Sequence, residues 1–208
     1  MEIEHIIHQV WLGPKQAPEK WMSTWKEKHP SWKYMRWDND TIKDYQFINR
    51  DKIDECIKRN LYHGAADLIR YEVLKDFGGF AAEADSICLN PIDELMNIDE
   101  ECFTCWEKEK RGQSIMTNLL TMWLGVKKGC RLMEILIEEL KQRTKRIDVP
   151  WISTGNLFFT KTVNRLNYQI KVYPSYFFLP EHYDGRKYNG TGKIYAEHYW
   201  GTTKNLYE

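Results

Sequence analysis

The sequence of 208 residues lacks several features that mark particular protein classes. Its 30 lysines and arginines equal its 30 aspartates and glutamates, so the phosphate-backbone binding that basic proteins show is not expected. No apolar run approaches the roughly 20 residues that a membrane-spanning helix needs. The opening "MEIEHIIHQV" also lacks the basic and then apolar pattern of a signal peptide. We expect a cytoplasmic protein with no transmembrane segment and no nucleic-acid partner.

The cysteines lack a regular spacing. The five cysteines are an odd number, which argues against a disulfide framework. Cys102 and Cys105 form a C-x-x-C pair, but no second pair at ligand spacing accompanies them, so structural zinc is a minor alternative. Repeats, low-complexity stretches and linker-like segments are also lacking. The chain therefore reads as a single domain over residues 1–208.

Strand and helix patterns alternate along the chain. Period-two patterns and β-branched residues predict strands at 5–13, 32–37, 101–106 and 168–174, with short strands on both sides of residues 83–85. Apolar residues at i, i+3 and i+4 predict helices at 18–28, 64–77, 128–146 and 154–166. This alternation predicts an α/β fold with a central mixed sheet flanked by helices.

Two carboxylates in "GGFAAEAD" (78–85) are the strongest candidates for a functional site. On an extended backbone Glu83 and Asp85 face the same side, roughly 6.5–7 Å apart at Cα, and two like charges that close need a cation. Mn²⁺ and Mg²⁺ prefer carboxylate oxygens and often share their shell with substrate phosphates, which favours a metal–diphosphate site. Two surface acids are one alternative. A glycosidase pair is another, although such pairs normally come from two different elements.

Three further residues have side chains that suit such a site. Asp67 and Arg70 lie at i and i+3 on one helix face, so they form either an ordinary ion pair or a joint ligand contact. His198 can complete a mixed oxygen and nitrogen shell around Mn²⁺, and an incidental role near the terminus is equally open. The "YWGTT" that follows (199–203) would then close over a diphosphate, with Trp200 as its anchor.

A longer run around these residues resembles a known family. "GAADLIRYEVLKDFGGFAAEADSICLNPIDEL" (64–95) is similar to the signature of glycosyltransferase family 32, sugar transferases with a DXD motif that include capsular, lipopolysaccharide and initiating mannosyltransferase enzymes. "IIHQVWLG" (6–13) and "HPSWKYMRWD" (29–38) resemble its first two strands, and "EHYWGTTK" (197–204) resembles its closing segment. Where the family has Tyr-x-Asp-x-Asp, this chain has Ala81, Ala82, Glu83, Ala84 and Asp85.

The resemblance implies a GT-A-like fold and a hexosyltransferase. It implies a nucleotide-diphosphate sugar donor, with UDP favoured over GDP, a Mn²⁺ or Mg²⁺ ion, and a glycan or protein hydroxyl acceptor. Transfer would usually retain the anomeric configuration. Because the first acid is Glu83 and the aromatic before it is missing, a nucleotide-sugar or glycan-binding protein with weak or lost turnover is the alternative.

The resemblance also implies roles for individual residues. Asp85 would bind the metal directly, Glu83 would contact ribose or metal-bound water, His198 would be a third ligand, and Arg70 would neutralise charge on the departing diphosphate. The donor-binding set would comprise Val10 and Trp11 at the nucleobase, Asp67, Arg70 and Glu83, and Asn118, Thr154, Gly155 and Trp200 near the sugar or diphosphate.

Overall fold

The computed structural model describes residues 2–108, 114, 115, 118–201, 204 and 206. Its strands are β1 (Ile6–Val10), β2 (Lys33–Trp37), β3 (Gly79–Ala81), β4 (Ser86–Cys88), β5 (Cys102–Cys105), β6 (Leu124–Val126), β7 (Lys171–Tyr173) and β8 (Ala196–His198). Its α-helices are α1 (Glu19–Lys28), α2 (Arg50–Lys58), α3 (Tyr62–Phe77), α4 (Arg131–Gln142), α5 (Pro150–Ser153) and α6 (Asn156–Leu166). Among these residues no helix has both the length and the apolar content to cross a membrane.

Six of the strands form one mixed sheet in the order β2-β1-β3-β6-β5-β7. β1 is parallel to β2 and β3, β6 is antiparallel to β3 and β5, and β7 is parallel to β5. β4 and β8 form a separate antiparallel pair. The mixed sheet flanked by helices confirms the fold class that the sequence predicts.

The sheet separates two hydrophobic cores, because successive strand residues face opposite sides. On one side Phe80 and Phe103 stack with ring centroids 5.7 Å apart and pack with Trp25 of α1. On the other side the neighbouring Ala81 and Cys102 join the core formed with α2, α3, α4 and α6. The central strands are thus covered on both faces.

Two glycines join α3 to the sheet. Gly78 and Gly79 have φ of 67° and 98°, a region that residues with a Cβ rarely adopt. A Cβ at Gly79 would also lie 2.5 Å from the carbonyl oxygen of Ile6. The chain therefore turns directly from the buried helix α3 into β3, beside β1, and the acidic motif follows at the ends of these two strands.

Some elements differ from the sequence-based expectation. The helix predicted at 128–146 is shorter, because Gly129 has a φ of 76° and Arg143 is already extended. The helix α2 and the strands β6 and β8 were not predicted. α2 buries only Ile53 and Cys56, and each of the two strands has only three residues.

The C-x-x-C pair is not a metal site. Cys102 and Cys105 lie on β5 and face the two different cores. All five cysteines are buried, and none of them forms a disulfide. The structural-zinc alternative is therefore wrong for this pair.

Candidate active site

Arg70 lies at the centre of a buried ionic network. Its Nη1 is 3.1 Å from Asp67 Oδ1, one turn away on α3, and its Nη2 is 3.0 Å from Glu83 Oε2. Burial alone would lower the pKa of Arg70, but the two carboxylates more than offset this and raise it. Arg70 Nε is buried and has no hydrogen-bond partner among the described residues. The guanidinium is thus a fixed cation whose Nε–H is available to another acceptor.

Thr154 and Gly155 lie next to the second carboxylate oxygen of Asp67. Thr154 Oγ1 donates to Asp67 Oδ2 at 2.9 Å, and Tyr71 fixes Thr154 by donating to its carbonyl oxygen at 2.7 Å. A Cβ at Gly155 would lie 2.9 Å from the same Asp67 oxygen. Burial raises the pKa of Asp67 to about 7, against the lowering effects of Arg70 and Thr154. Three of the predicted donor-binding residues therefore meet in one place.

Glu83 and Asp85 lie on a turn. The expectation of an extended backbone is wrong here, because Ser86 Oγ donates to the Glu83 carbonyl oxygen at 2.6 Å and closes a turn over residues 84 and 85. Gln9 Nε2 donates to the same oxygen at 3.2 Å. As a result the two carboxylates have different partners, and Glu83 binds Arg70.

Asp85 binds the closing segment of the chain. Its Oδ1 is 2.8 Å from His198 Nε2, and its Oδ2 accepts a hydrogen bond from Gly201 N at 2.8 Å. Burial alone would lower the pKa of His198, but Asp85 raises it overall. His198 Nδ1 is buried and lacks a hydrogen-bond partner within the described part of the chain.

Trp200 fixes the position of this closing segment. Its φ is 56°, and its indole N–H donates to the Glu181 carbonyl oxygen at 3.0 Å. The ring centroid is 4.4 Å from that of His198 and 5.0 Å from that of His182. Residues 196–201 are therefore held by strand pairing, by ring contacts and by the indole N–H of Trp200. The closure of this segment over a diphosphate stays a prediction. Residues 202 and 203 lie outside the described residues.

Three further predicted residues lie on other segments of the chain. Val10 ends β1 and packs against the core. Trp11 follows it, donating its backbone N–H to Trp37 and its indole N–H to Lys15, both at 2.9 Å. Asn118 donates its backbone N–H to Ile115 at 3.2 Å. Their roles in donor binding stay predictions.

Sequence reasoning did not predict the residues that support the backbone of Glu83. Gln9 is fully buried in β1, and Tyr34 of β2 donates its hydroxyl to Gln9 Oε1 at 2.7 Å. The available signal was a glutamine inside the apolar run 5–13. A buried amide needs hydrogen-bond partners, so this residue pointed to polar contacts within the core. The N–H of Gly201 carries no sequence signal of its own.

The described residues bring no three potential metal ligands together. Among residues 2–108, 114, 115, 118–201, 204 and 206, no group of three or more His, Cys, Asp or Glu side chains can hold a metal ion. Mg²⁺ sites, however, often use one or two protein groups and complete the shell with substrate phosphates and water. Asp85 and His198, whose Oδ1 and Nε2 lie 2.8 Å apart, would supply one carboxylate and one imidazole to such a site. A direct metal contact of Glu83 stays a prediction.

Comparison with known proteins finds similarity to one family of sugar transferases. Residues 17–104, which include Asp67, Arg70, Glu83 and Asp85, match the model described as "Glycosyltransferase sugar-binding region containing DXD motif". Residues 17–104 are thus similar to the sugar-binding region of DXD glycosyltransferases. The resemblance to this family that the sequence suggested is thereby confirmed.

Individual relatives agree with the family match. Inositol phosphoceramide mannosyltransferase 3 of Schizosaccharomyces pombe is 25% identical over 172 residues, which are 76% of this chain and 44% of that protein. An uncharacterized glycosyltransferase of Acanthamoeba polyphaga mimivirus is 23% identical over 77% of this chain and 64% of its own length. The chain thus spans about a third to two thirds of the length of the curated relatives that it matches.

A solved structure supports the fold. The chain described as "PaToxG Glycosyltransferase" superposes with a TM-score of 0.64 at 16% identity, covering 79% of this chain and 69% of that one. The GT-A-like fold is thereby confirmed. The extent of a single domain over residues 1–208 stays a prediction.

Proposed function

We propose that the chain transfers a hexose from a nucleotide-diphosphate sugar to a hydroxyl acceptor, with a divalent cation. The observation that carries the proposal is the joint placement of the motif residues. Arg70 bridges Asp67 and Glu83 at 3.1 and 3.0 Å, and the turn after Glu83 presents Asp85 to His198. The phosphates of a sugar diphosphate need a fixed cation, the sugar hydroxyls need hydrogen-bond acceptors, and the metal ion needs a carboxylate. Arg70, Asp67 and Asp85 would supply these three groups from one stretch of the chain.

Arg70 and Asp67 are suited to the donor sugar and its phosphate. The unpartnered Nε–H of Arg70 costs free energy while it is buried, and a phosphate or hydroxyl oxygen would satisfy it. Asp67, held by Thr154, presents a carboxylate that accepts hydrogen bonds from sugar hydroxyls. Thr154 and Gly155 would then set the position of Asp67.

Asp85 and His198 are suited to the cation. When bound, Mn²⁺ or Mg²⁺ supplies positive charge beside the diphosphate. The Gly201 N–H, 2.8 Å from Asp85 Oδ2, orients the carboxylate, as hydrogen bonds from outside a metal shell commonly do. Glu83, held by Gln9 and Arg70, faces the ribose or a coordinated water.

The transfer step exchanges one C–O bond for another and moves one proton. The anomeric carbon separates from the diphosphate oxygen, and the acceptor oxygen bonds to that carbon from the same face. The acceptor proton passes to the departing phosphate oxygen, so charge and atoms balance. The preformed cation of Arg70 stabilises the negative charge that develops on the diphosphate. No side chain is assigned as a covalent nucleophile.

The names of the relatives suggest which substrates to test first. Three relatives from Schizosaccharomyces pombe are named inositol phosphoceramide mannosyltransferases. A mannose donor and an inositol-bearing lipid acceptor therefore join the UDP-sugars and the glycan or protein hydroxyls that the sequence suggested.

A thermal-shift panel of UDP- and GDP-sugars, with and without Mn²⁺, tests the proposal. The expected result is a donor that raises the melting temperature only with Mn²⁺, because a ligand that binds the folded state stabilises it. Mass spectrometry should then detect the glycosylated acceptor. Cleavage of nitrophenyl glycosides without metal would instead indicate a glycosidase. Stabilisation by donors without any product or donor hydrolysis would indicate a binding protein.

A further inference from the structure

Large apolar side chains are exposed together at one place beside the site. Val149, Trp151 and Ile152 are 42%, 44% and 42% exposed, and all three lie within four residues at α5. Among the described residues the other large hydrophobic side chains with such exposure are separate in sequence. Grouped exposure of this kind marks an interaction surface, whereas single exposed apolar residues need no explanation.

The same segment is basic in a chain with no net charge. Residues 141–152 contain Lys141, Arg143, Lys145 and Arg146 against a single acid, Asp148, which gives four positive charges and one negative charge. Lys141, Lys145 and Arg146 are exposed. We call residues 141–152 the basic apolar face.

A hollow of about 370 Å³ opens on this face. It is lined by Glu139, Gln142, Arg143, Thr144, Lys145 and Phe158. Arg143 donates to the Ser153 carbonyl oxygen and lies 5.0 Å from the centroid of the Phe158 ring, so its guanidinium is fixed at the wall. The acid in the lining, Glu139, is paired with Arg165. The hollow thus offers Arg143 and Lys145 to an anionic group.

The basic apolar face also borders the candidate active site. α5 leads directly into Thr154, which binds Asp67. A Cβ at Gly155 would lie 3.1 Å from Trp151 Cα. A surface that covers Trp151 and Ile152 would therefore lie at the rim of the site.

We propose that the basic apolar face docks on an anionic lipid bilayer. Tryptophan is favoured at the membrane–water interface, and lysine and arginine are attracted to anionic leaflets. The combination of a small apolar insertion with a basic patch binds membranes better than either alone. A second copy of the chain would set this positive face against itself, and an acidic protein would leave Trp151 and Ile152 without an apolar environment. The docking does not depend on the proposed sugar transfer.

Vesicle co-sedimentation with the full chain tests the proposal. The expected result is binding to phosphatidylcholine vesicles that contain about 30 mol % phosphatidylserine, weak binding to phosphatidylcholine alone, and weaker binding at high salt. The variants Trp151→Ser with Ile152→Ser, and Lys141→Glu with Lys145→Glu, should each weaken binding on the order of tenfold. Circular dichroism would verify that each variant is folded.

Two matched variants separate this face from general charge and hydrophobicity. Ile48→Ser with Leu206→Ser removes two exposed apolar residues elsewhere, and Lys20→Glu with Lys26→Glu makes the same charge change on α1. Both should bind the anionic vesicles as the wild type does. Equal losses in these controls, or no preference for anionic vesicles, would overturn the proposal. So would a dimer that Trp151→Ser disperses, or stabilisation by inorganic phosphate without vesicle binding.

Discussion

Ser86 and His198 are direct partners in the antiparallel pair of β4 and β8. Because Asp85 immediately precedes Ser86, this register brings its carboxylate to 2.8 Å from His198 Nε2, across 113 residues of sequence. The same pairing delivers Gly201 to the second carboxylate oxygen. The two-stranded sheet thus assembles the proposed cation site from two distant segments.

His198→Gln should weaken the cation site while largely preserving the fold. The glutamine amide can donate to Asp85 as Nε2 does, but it cannot supply an imidazole nitrogen to the cation. We expect Mn²⁺ affinity for the nucleotide complex to fall about tenfold, the scale of a lost ligand contact. Titration calorimetry of Mn²⁺ measures it, with the exposed His5→Gln as control. Unchanged Mn²⁺ affinity with a lower melting temperature would make His198 purely structural.

Asp67→Asn should separate recognition of the donor sugar from that of the nucleotide. The amide oxygen can still accept from Thr154, but the charge offered to the sugar is lost. Affinity for the intact nucleotide sugar should fall about tenfold, roughly the value of a hydrogen bond to a charged group, and affinity for the nucleoside diphosphate should change little. Calorimetry with both ligands measures the difference. Equal losses would assign Asp67 to the stability of α3.

Gly155→Ala should displace the carboxylate of Asp67, which lies next to Gly155. The added methyl group would lie 2.9 Å from Asp67 Oδ2 and 3.1 Å from Trp151 Cα, so we expect a loss of about 1–3 kcal/mol of unfolding free energy from overpacking. Affinity for the donor sugar should fall as well. Gly129→Ala is a suitable control, because its φ of 76° strains the variant while its surroundings are open. If Gly129→Ala weakened donor binding equally, the effect would be one of stability alone.

His8 should make the fold sensitive to acid. Its Nε2–H donates to Gly78 O at 2.8 Å, its Nδ1 accepts from Trp37 at 3.1 Å, and burial lowers its pKa from 6.5 to about 4. As the pH falls, His8 is therefore protonated in the unfolded chain before it is protonated in the folded chain. The contribution is complete above pH 6.5 and is lost as the pH falls toward 4, by about 3 kcal/mol of unfolding free energy.

Urea unfolding at a series of pH values measures this loss. His8→Gln keeps a donor and an acceptor without a titrating ring, so its stability should decline less between pH 6.5 and 4, while the exposed His5→Gln should follow the wild type. A residual slope is expected from His29, because burial also lowers its pKa. Equal slopes for His8→Gln and wild type would contradict the assignment.

The sequence predicted the parts of the site that lie on one continuous segment. The periodicity of 64–77 and the glycine pair after it indicated α3 and its end, and Asp67 and Arg70 at i and i+3 do share a face. These signals are local. They therefore do not depend on how distant strands pair.

The parts that were missed depend on tertiary contacts. The turn over residues 84 and 85 is closed by Ser86 and held by Gln9 from β1, and an extended backbone was the local expectation. β8 has the polar sequence Ala-Glu-His, so its strand pairing with β4 has no local hydrophobic pattern. The contact between Asp85 and Gly201 follows only from that pairing.

Release of nucleoside diphosphate by wild-type protein and by Asp85→Asn, across a panel of UDP- and GDP-sugars with Mn²⁺, tests the central claim most directly. Asparagine is nearly isosteric, but it removes the charge that faces the cation. We expect turnover of at least one donor by the wild type and at least about a hundredfold less by the variant, as for loss of a group that stabilises the transition state. Circular dichroism should show the same fold. Equal turnover by the two proteins, or turnover that persists when Mn²⁺ and Mg²⁺ are chelated, would contradict the assignment of a metal-dependent transferase centred on Asp85.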